Sequence, residues 1–301
     1  MNMDPNREIE FVKMEGTGND YVYLDLRALG PDADLDWLTP ERVRALSDRR
    51  RGVGGDGVIV IAAGTAEDEA GRMRMWNADG STSAMCGNGL RSLAWFVGRD
   101  LPEGDFVVTS DVGRHRARVL ATGDREGTVE VEIGAPRFAT ADIPFAPENV
   151  PGYDPGQAGP HLDVPLEAGG ARFTGSLVSM GNPHCVIFVD DADRAPVLEA
   201  GRFLERHPAF PERTNVEFVS PEAEGFYQRT FERGTGETLS CGSGACAVHV
   251  SSVLLGKAPR RNRIRLRGGT LELEWNGNPG DDQPVILRGP VREVFRGRYV
   301  W

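Results

Sequence analysis

The feature that most constrains this chain is an internal echo. CGNGLRSLAWFV from Cys86 and CGSGACAVHVSS from Cys241 share a Cys-Gly-X-Gly opening and the apolar stretch that follows it. The match extends upstream: Asn77 stands nine residues before Cys86 and Glu232 nine before Cys241, each closing a strand-like run and opening a polar loop. Further back, Gly18-Asn19 and Gly181-Asn182 each precede an apolar run that ends in an acid, Asp25 or Asp190. Two diverged copies of one unit is the economical explanation, and 301 residues with 40% hydrophobic content give each copy enough chain for a core of its own.

Apolar runs of strand length recur between Gly and Pro punctuation at 21–24, 58–61, 73–76, 106–109, 129–133, 186–189, 216–219 and 271–275. Helical spacing is scarcer. After Cys86, Leu90, Leu93, Ala94 and Val97 follow the i, i+3, i+4, i+7 rule until Gly98. After Cys241, residues 244–255 are small or apolar on nearly every side and stop at Gly256, the composition of a helix buried all round. Each half is therefore expected to wrap strands around one helix. Prolines 144, 147, 151, 155 and 160 break regular structure across 136–165, and the passage between domains is placed there.

A formal net charge of -11 excludes wrapping a polyanion, which needs clustered Lys and Arg, so no nucleic-acid partner is expected and a small molecule is. No apolar run approaches the roughly 18 residues of a membrane span, and MNMDPNREIEFVKM lacks the pattern of a secretory signal. The four cysteines, Cys86, Cys185, Cys241 and Cys246, are too few and scattered for a stapled secreted scaffold, which points to thiols in a reducing cytoplasm.

A thiol at the first turn of a helix meets unsatisfied backbone N–H groups and the positive end of the helix dipole, which favour thiolate. The glycines that follow let a ligand approach the backbone, and the same N–H groups can take a carboxylate. One such cysteine is usually inert and buried. Two related by a repeat offer a base for one face of a carbon and an acid for the other, which is what stereoinversion requires. The carbanion formed at an amino-acid α-carbon needs either an electron-sink cofactor or preorganised donors. Lys13 and Lys257 are the only lysines and neither marks a pyridoxal site, so no cofactor and no metal are expected. Asn19, Asn77, Asn88, Asn182 and Asn215 occupy corresponding parts of the two copies. Glu232-Arg233 supplies an acid and a base suited to a zwitterionic end.

At these residues the sequence closely resembles the diaminopimelate epimerase family, through FVKMEGTGNDYVYLD at Phe11, NADGSTSAMCGNG at Asn77, GNPHCV at Gly181 and ERGTGETLSCGSGAC at Glu232. The resemblance implies an α/β (α+β) fold of two pseudo-symmetric domains, each a curved, mostly antiparallel sheet around a central helix, with the active site in the cleft between them. Their expected limits are 1–134 with 285–301, carrying Cys86, and 135–284, carrying Cys241. It implies pyridoxal-independent interconversion of LL- and meso-diaminopimelate, supplying lysine and peptidoglycan, in the cytoplasm. Cys86 and Cys241 fall on the catalytic cysteines. The substrate contacts fall on Asn19, Asn77, Gly87-Asn88, Asn182, Asn215, Glu232-Arg233 and Gly242-Ser243, and a homodimer is held open as the assembly state. The chain departs from the pattern at Gly57, where some members carry glutamine, and at STSA before Met85, where an acid is common.

His184 in GNPHCV is equally readable as an orienting group or a structural histidine. Cys185 and Cys246 read as core residues, and Cys241 with Cys246, five apart, make a poor metal pair. Two other functions compete. A proline or hydroxyproline epimerase, another racemase or a phenazine-type isomerase would share the architecture but not need Glu232-Arg233. A thiol redox protein would use Cys86 and Cys241 but leave the asparagines unexplained, and the chain has no Cys-X-X-Cys.

Overall fold

The computed structural model describes residues 8–301. The chain divides into two compact units: the first runs to Glu132 and takes up Arg288–Trp301, and the second is Ile133–Leu287. In chain order the first holds β1 (Glu8–Gly16), β2 (Asn19–Asp25), α1 (Pro40–Ser47), β3 (Gly57–Ala62), β4 (Glu69–Asn77), β5 (Thr82–Ser83), α2 (Gly87–Gly98), β6 (Phe106–Ser110), β7 (Gly113–Thr122) and β8 (Glu126–Gly134). The second holds β9 (His161–Ala168), β10 (Ala171–Ser179), β11 (Pro183–Phe188), α3 (Val197–Glu205), β12 (Asn215–Glu222), β13 (Gly225–Glu232), β14 (Gly236–Thr238), α4 (Gly242–Leu254), β15 (Arg261–Leu266) and β16 (Gly269–Glu274). The last strand, β17 (Val285–Val300), pairs with β1 and β8.

In the first unit the pairing runs β17–β1–β2–β3–β4–β6–β7–β8 and back to β17, so the sheet closes on itself. Within this run β2–β3 and β4–β6 are parallel. Strand alternation then sorts the side chains. Val22, Leu24, Val58 and Val60 join one apolar cluster with Val43 and Leu46 of α1. Tyr21, Tyr23 and Ile59 turn to the opposite face, toward the first turn of α2, where the Tyr23 hydroxyl donates to the Gly89 carbonyl at 3.2 Å. With helices on both faces, β3 is buried at every residue, which explains its unbroken apolar run. Every residue of α2 is buried too, the consequence of a helix enclosed by sheet.

The second unit repeats this order. From β1 to β7 the pairings run antiparallel, parallel, antiparallel, parallel, antiparallel, and from β10 to β16 they run identically. The short strands β5 and β14 hang antiparallel on β4 and β13. The tight turns opening β2 and β11 both need a left-handed residue, which Gly18 and Gly181 supply at φ 90°. The internal echo in the sequence is thus a repeat of topology as well as of motif, and the fold expected from it is the fold observed.

Several elements lie outside the apolar runs and helical periods of the sequence: the strands β1, β5, β7, β9, β10, β13, β14 and β15, and two helices. The helices α1 and α3 are short and interrupt the strand pattern at matching places, after β2 and after β11. Of α1 only Val43, Leu46 and Ser47 are buried, too little apolar signal for a period, although Thr39 caps it by accepting the Arg42 N–H at 3.4 Å. Residues 136–165 differ as well. The stretch is largely irregular, as its prolines predict, but β9 starts at His161, and Ile143, Phe145 and Val150 are buried in the second unit's core.

Candidate active site

Both repeat cysteines are N-cap residues in extended conformation, Cys86 at φ -137°, ψ 122° before α2 and Cys241 at φ -129°, ψ 108° before α4. An N-cap side chain sits beside the N–H groups that a helix cannot satisfy internally. At α4 the sulfur uses one of them: the Gly244 N–H donates to Cys241 Sγ at 3.3 Å, and Ser243 Oγ lies 3.6 Å away. At α2 the sulfur makes no capping bond and accepts from the Tyr21 hydroxyl at 3.5 Å.

Around Cys86 the structure brings together two of the expected contact residues. Asn88 Nδ2 donates to Asn19 Oδ1, and Asn19 Nδ2 donates to Asp56 Oδ2 at 3.2 Å. The Asn88 side-chain oxygen Oδ1 accepts from Arg91 Nη1 at 2.7 Å, so this buried amide serves the network and its backbone N–H is what it can offer a ligand. Asn77 stands apart, turning its amide to Ser81 Oγ at 3.0 Å in the loop after β4. A Cβ at Gly57 would lie 2.1 Å from the Trp76 carbonyl oxygen, so the glutamine of some family members has no room on this backbone. Lys13 is committed to Asp20 at 2.7 Å and Lys257 rests 5.3 Å from the Phe188 ring centre.

The second unit gathers the remaining residues. Asn215 donates to the Pro183 carbonyl at 2.9 Å and accepts the Arg233 N–H at 3.0 Å, joining the start of β11 to the end of β13. Asn182 Oδ1 lies 3.1 Å from His184 Nε2, whose Nδ1 is 2.8 Å from Glu217 Oε1. Glu232 takes the Thr238 hydroxyl at 2.5 Å, while the Arg233 guanidinium reaches out to the Glu212 carbonyl at 3.2 Å. Glu205, at the end of α3, accepts the Gly234 N–H at 2.7 Å. A cavity of about 1180 Å³ lies behind that turn, between α3 and residues 234–237, and Cys241 does not line it.

The electrostatics of Cys241 differ from the expectation for a helix N-terminus. Burial first, then the charges of Glu232 and Glu217, push its thiol well above the ordinary range, outweighing the Ser243 and Gly244 hydrogen bonds. Burial likewise raises Cys185, as befits a core thiol, and Cys246 is equally buried. Glu217 was missed in the sequence. It lies in the apolar run of β12, fully buried, with Oε2 unpartnered, and a lone acid inside NVEFV was the available signal. His184, Glu217 and Cys241 each bring one ligand atom within 4.8 Å of the others, the one such group among the described residues with the donor set for a divalent ion.

Residues 11–139 and 176–293 match the family model described as Diaminopimelate epimerase. The chain belongs to the diaminopimelate epimerase family. Among its relatives, the diaminopimelate epimerase of Leptospira biflexa is 45% identical over 96% of this chain and 98% of its own. That of Moorella thermoacetica is 41% identical over 97% and 99%. Of solved structures, a hydroxyproline epimerase from Agrobacterium vitis superposes at TM-score 0.69 and 14% identity, covering 99% of this chain and 94% of that one. A Predicted Epimerase from Pseudomonas aeruginosa gives 0.64 at 15%, covering 97% and 99%. At such identities these likenesses show the fold alone. Membership makes the chain an isomerase, and the family match spans both Cys-Gly-X-Gly turns.

Proposed function

We propose that this chain interconverts LL- and meso-diaminopimelate without pyridoxal, Cys86 and Cys241 exchanging protons with opposite faces of the substrate α-carbon. The observation that carries this reading is the repeated N-cap cysteine, two equivalent sulfurs at two equivalent helix starts in a chain of this family. One sulfur removes the α-proton and the other returns a proton to the opposite face, and the roles exchange with the isomer bound. The backbone N–H groups of Gly87-Asn88 and Gly242-Ser243 take the reacting carboxylate, where developing charge meets two helix dipoles in place of a cofactor.

Asn19, Asn77, Asn182, Asn215, Glu232 and Arg233 hold the two amino-acid ends. Glu232 suits an ammonium and the Arg233 guanidinium a carboxylate, so the turn after β13 selects a substrate with a second zwitterionic end. A cyclic imino acid has no group for it. The product feeds lysine and cell-wall precursor synthesis, which places the enzyme in the cytoplasm.

Cys86→Ala and Cys241→Ala, made separately, are each expected to lower epimerisation of both isomers by roughly 10²- to 10⁴-fold or more, the usual worth of a proton-transfer group. Chiral separation of products measures it. Full activity of either variant would sink the two-sulfur mechanism.

A further inference from the structure

We propose that the Tyr21 hydroxyl is a positioning donor that holds the Cys86 sulfur as thiolate, an assignment resting on the reading of Cys86 as a proton-transfer group. Tyr21 and Tyr23 are two apart on β2 and so share the face turned to α2. Their rings meet edge to face at 6.5 Å, with the Tyr23 hydroxyl tied to the Gly89 carbonyl and the Tyr21 hydroxyl 3.5 Å from Cys86 Sγ. The carbonyl bond occupies the Tyr23 hydroxyl, and the Tyr21 hydroxyl is the one of the two that meets the sulfur.

The repeat supports the assignment independently. Tyr21 follows Asn19 by two and pairs with Gly57 on β3, while His184 follows Asn182 by two and pairs with Asn215 on β12. The equivalent position in both copies therefore holds a polar ring beside the repeat sulfur: a ring nitrogen of His184 lies within 4.8 Å of Cys241 Sγ. Cys241 Sγ accepts the Gly244 N–H of α4, and Cys86 Sγ accepts the Tyr21 hydroxyl of β2.

The phenol keeps the proton that it donates. Burial, then the neighbouring sulfur, hold Tyr21 well above its ordinary range, so it keeps its proton throughout the working range. The other charges acting on this tyrosine pair are Asp20 on β2, Asp56 ahead of β3 and Arg91 on α2. Asp20 is engaged by Lys13 and Arg49, and Asp56 by Arg49 and Asn19. A hydrogen bond to the charged form favours that form.

The test is the rate of iodoacetamide modification at Cys86, read by peptide mass spectrometry against pH in the full-length wild type and Tyr21→Phe. The midpoint is expected to rise by about one pH unit, slowing alkylation at pH 7 about tenfold. The acid limb of kcat/KM moves the same way. Tyr23→Phe should leave the midpoint in place. An unmoved midpoint in folded Tyr21→Phe, or an equal shift in Tyr23→Phe, would overturn the assignment. The wild type carries its own check, because the thiolate absorbance lost in Cys86→Ala must titrate below the roughly 8.5 of a free thiol. A value at or above that overturns it without any tyrosine variant. Alkylation needs no substrate, so a shifted midpoint in a chain that fails to epimerise diaminopimelate upholds Tyr21 and sinks the substrate reading alone.

Discussion

A thiol's acidity follows from the atoms packed within a few ångström of it, and the two repeat cysteines have different neighbours. Cys86 is half-buried beside a phenol, whereas Cys241 is buried beside two carboxylates. Glu217 belongs to the second set, and its charge is one of the causes that raise Cys241. Glu217→Gln is therefore expected to lower the Cys241 midpoint and accelerate its alkylation at pH 8 severalfold, measured by mass spectrometry with Cys86 as internal reference. An unchanged or slower rate would remove Glu217 from the causes that raise this thiol. The contrast was not readable in the sequence. Cys-Gly-X-Gly shows that a sulfur starts a helix, but Tyr21 and Glu217 reach the sulfurs only through β2 and β12, and spacing along the chain does not encode that contact.

At the scale of elements, the strands that form unbroken apolar runs, such as β3, and the two central helices were legible because their signals are local, whereas β1, β7, β10, β13 and β15, whose polar residues interrupt the run, were not. Leu90, Leu93, Ala94 and Val97 carry a helical period that Gly98 ends, and β3 shows its two-sided burial as five apolar residues after a glycine. The helix α1 was missed because it buries only a narrow face, and α3 because its buried face is made mostly of small residues while the large apolar Leu198 and Phe203 lie exposed, which blurs the period. Gly57 shows the limit of motif matching. It sits where β3 meets both Tyr21 and Asn77, and its missing side chain is a packing requirement. Gly57→Ala is expected to destabilise the chain by about 1–3 kcal/mol, the usual cost of overpacking, and to raise KM because Asn77 is displaced. Thermal unfolding and steady-state kinetics measure the two effects. A Tm and a KM equal to wild type would show that the strand yields freely.

Across the whole molecule the repeat governs what could be known in advance: domain-sized units, one buried helix each and one helix-capping cysteine each. What it could not give is how the acidic chain holds its charges. Asp20 is partly buried, which raises its pKa, yet hydrogen bonds from Arg49 and Lys13 bring the net value below the ordinary carboxylate range. Hydrogen bonds from Arg296, opposed by burial and aided by Arg99, lower Glu293 in the same way. A carboxyl depressed in the folded state adds stability above its unfolded pKa of about 4 and loses that contribution as pH falls through the folded value. Tm is therefore expected to fall between about pH 5 and pH 3, and Asp20→Asn should flatten the slope. A slope unaltered by Asp20→Asn would remove that pair from the account.

The central claim is cofactor-free proton exchange at the α-carbon of diaminopimelate, and one measurement tests it most directly. Reduced, full-length protein is incubated with LL-diaminopimelate in D2O, without pyridoxal phosphate or metal, and the products are followed by chiral separation and mass spectrometry. The account predicts meso product carrying one solvent deuterium at the inverted carbon. Absence of both product and exchange, or meso product that retains the original hydrogen, would contradict it.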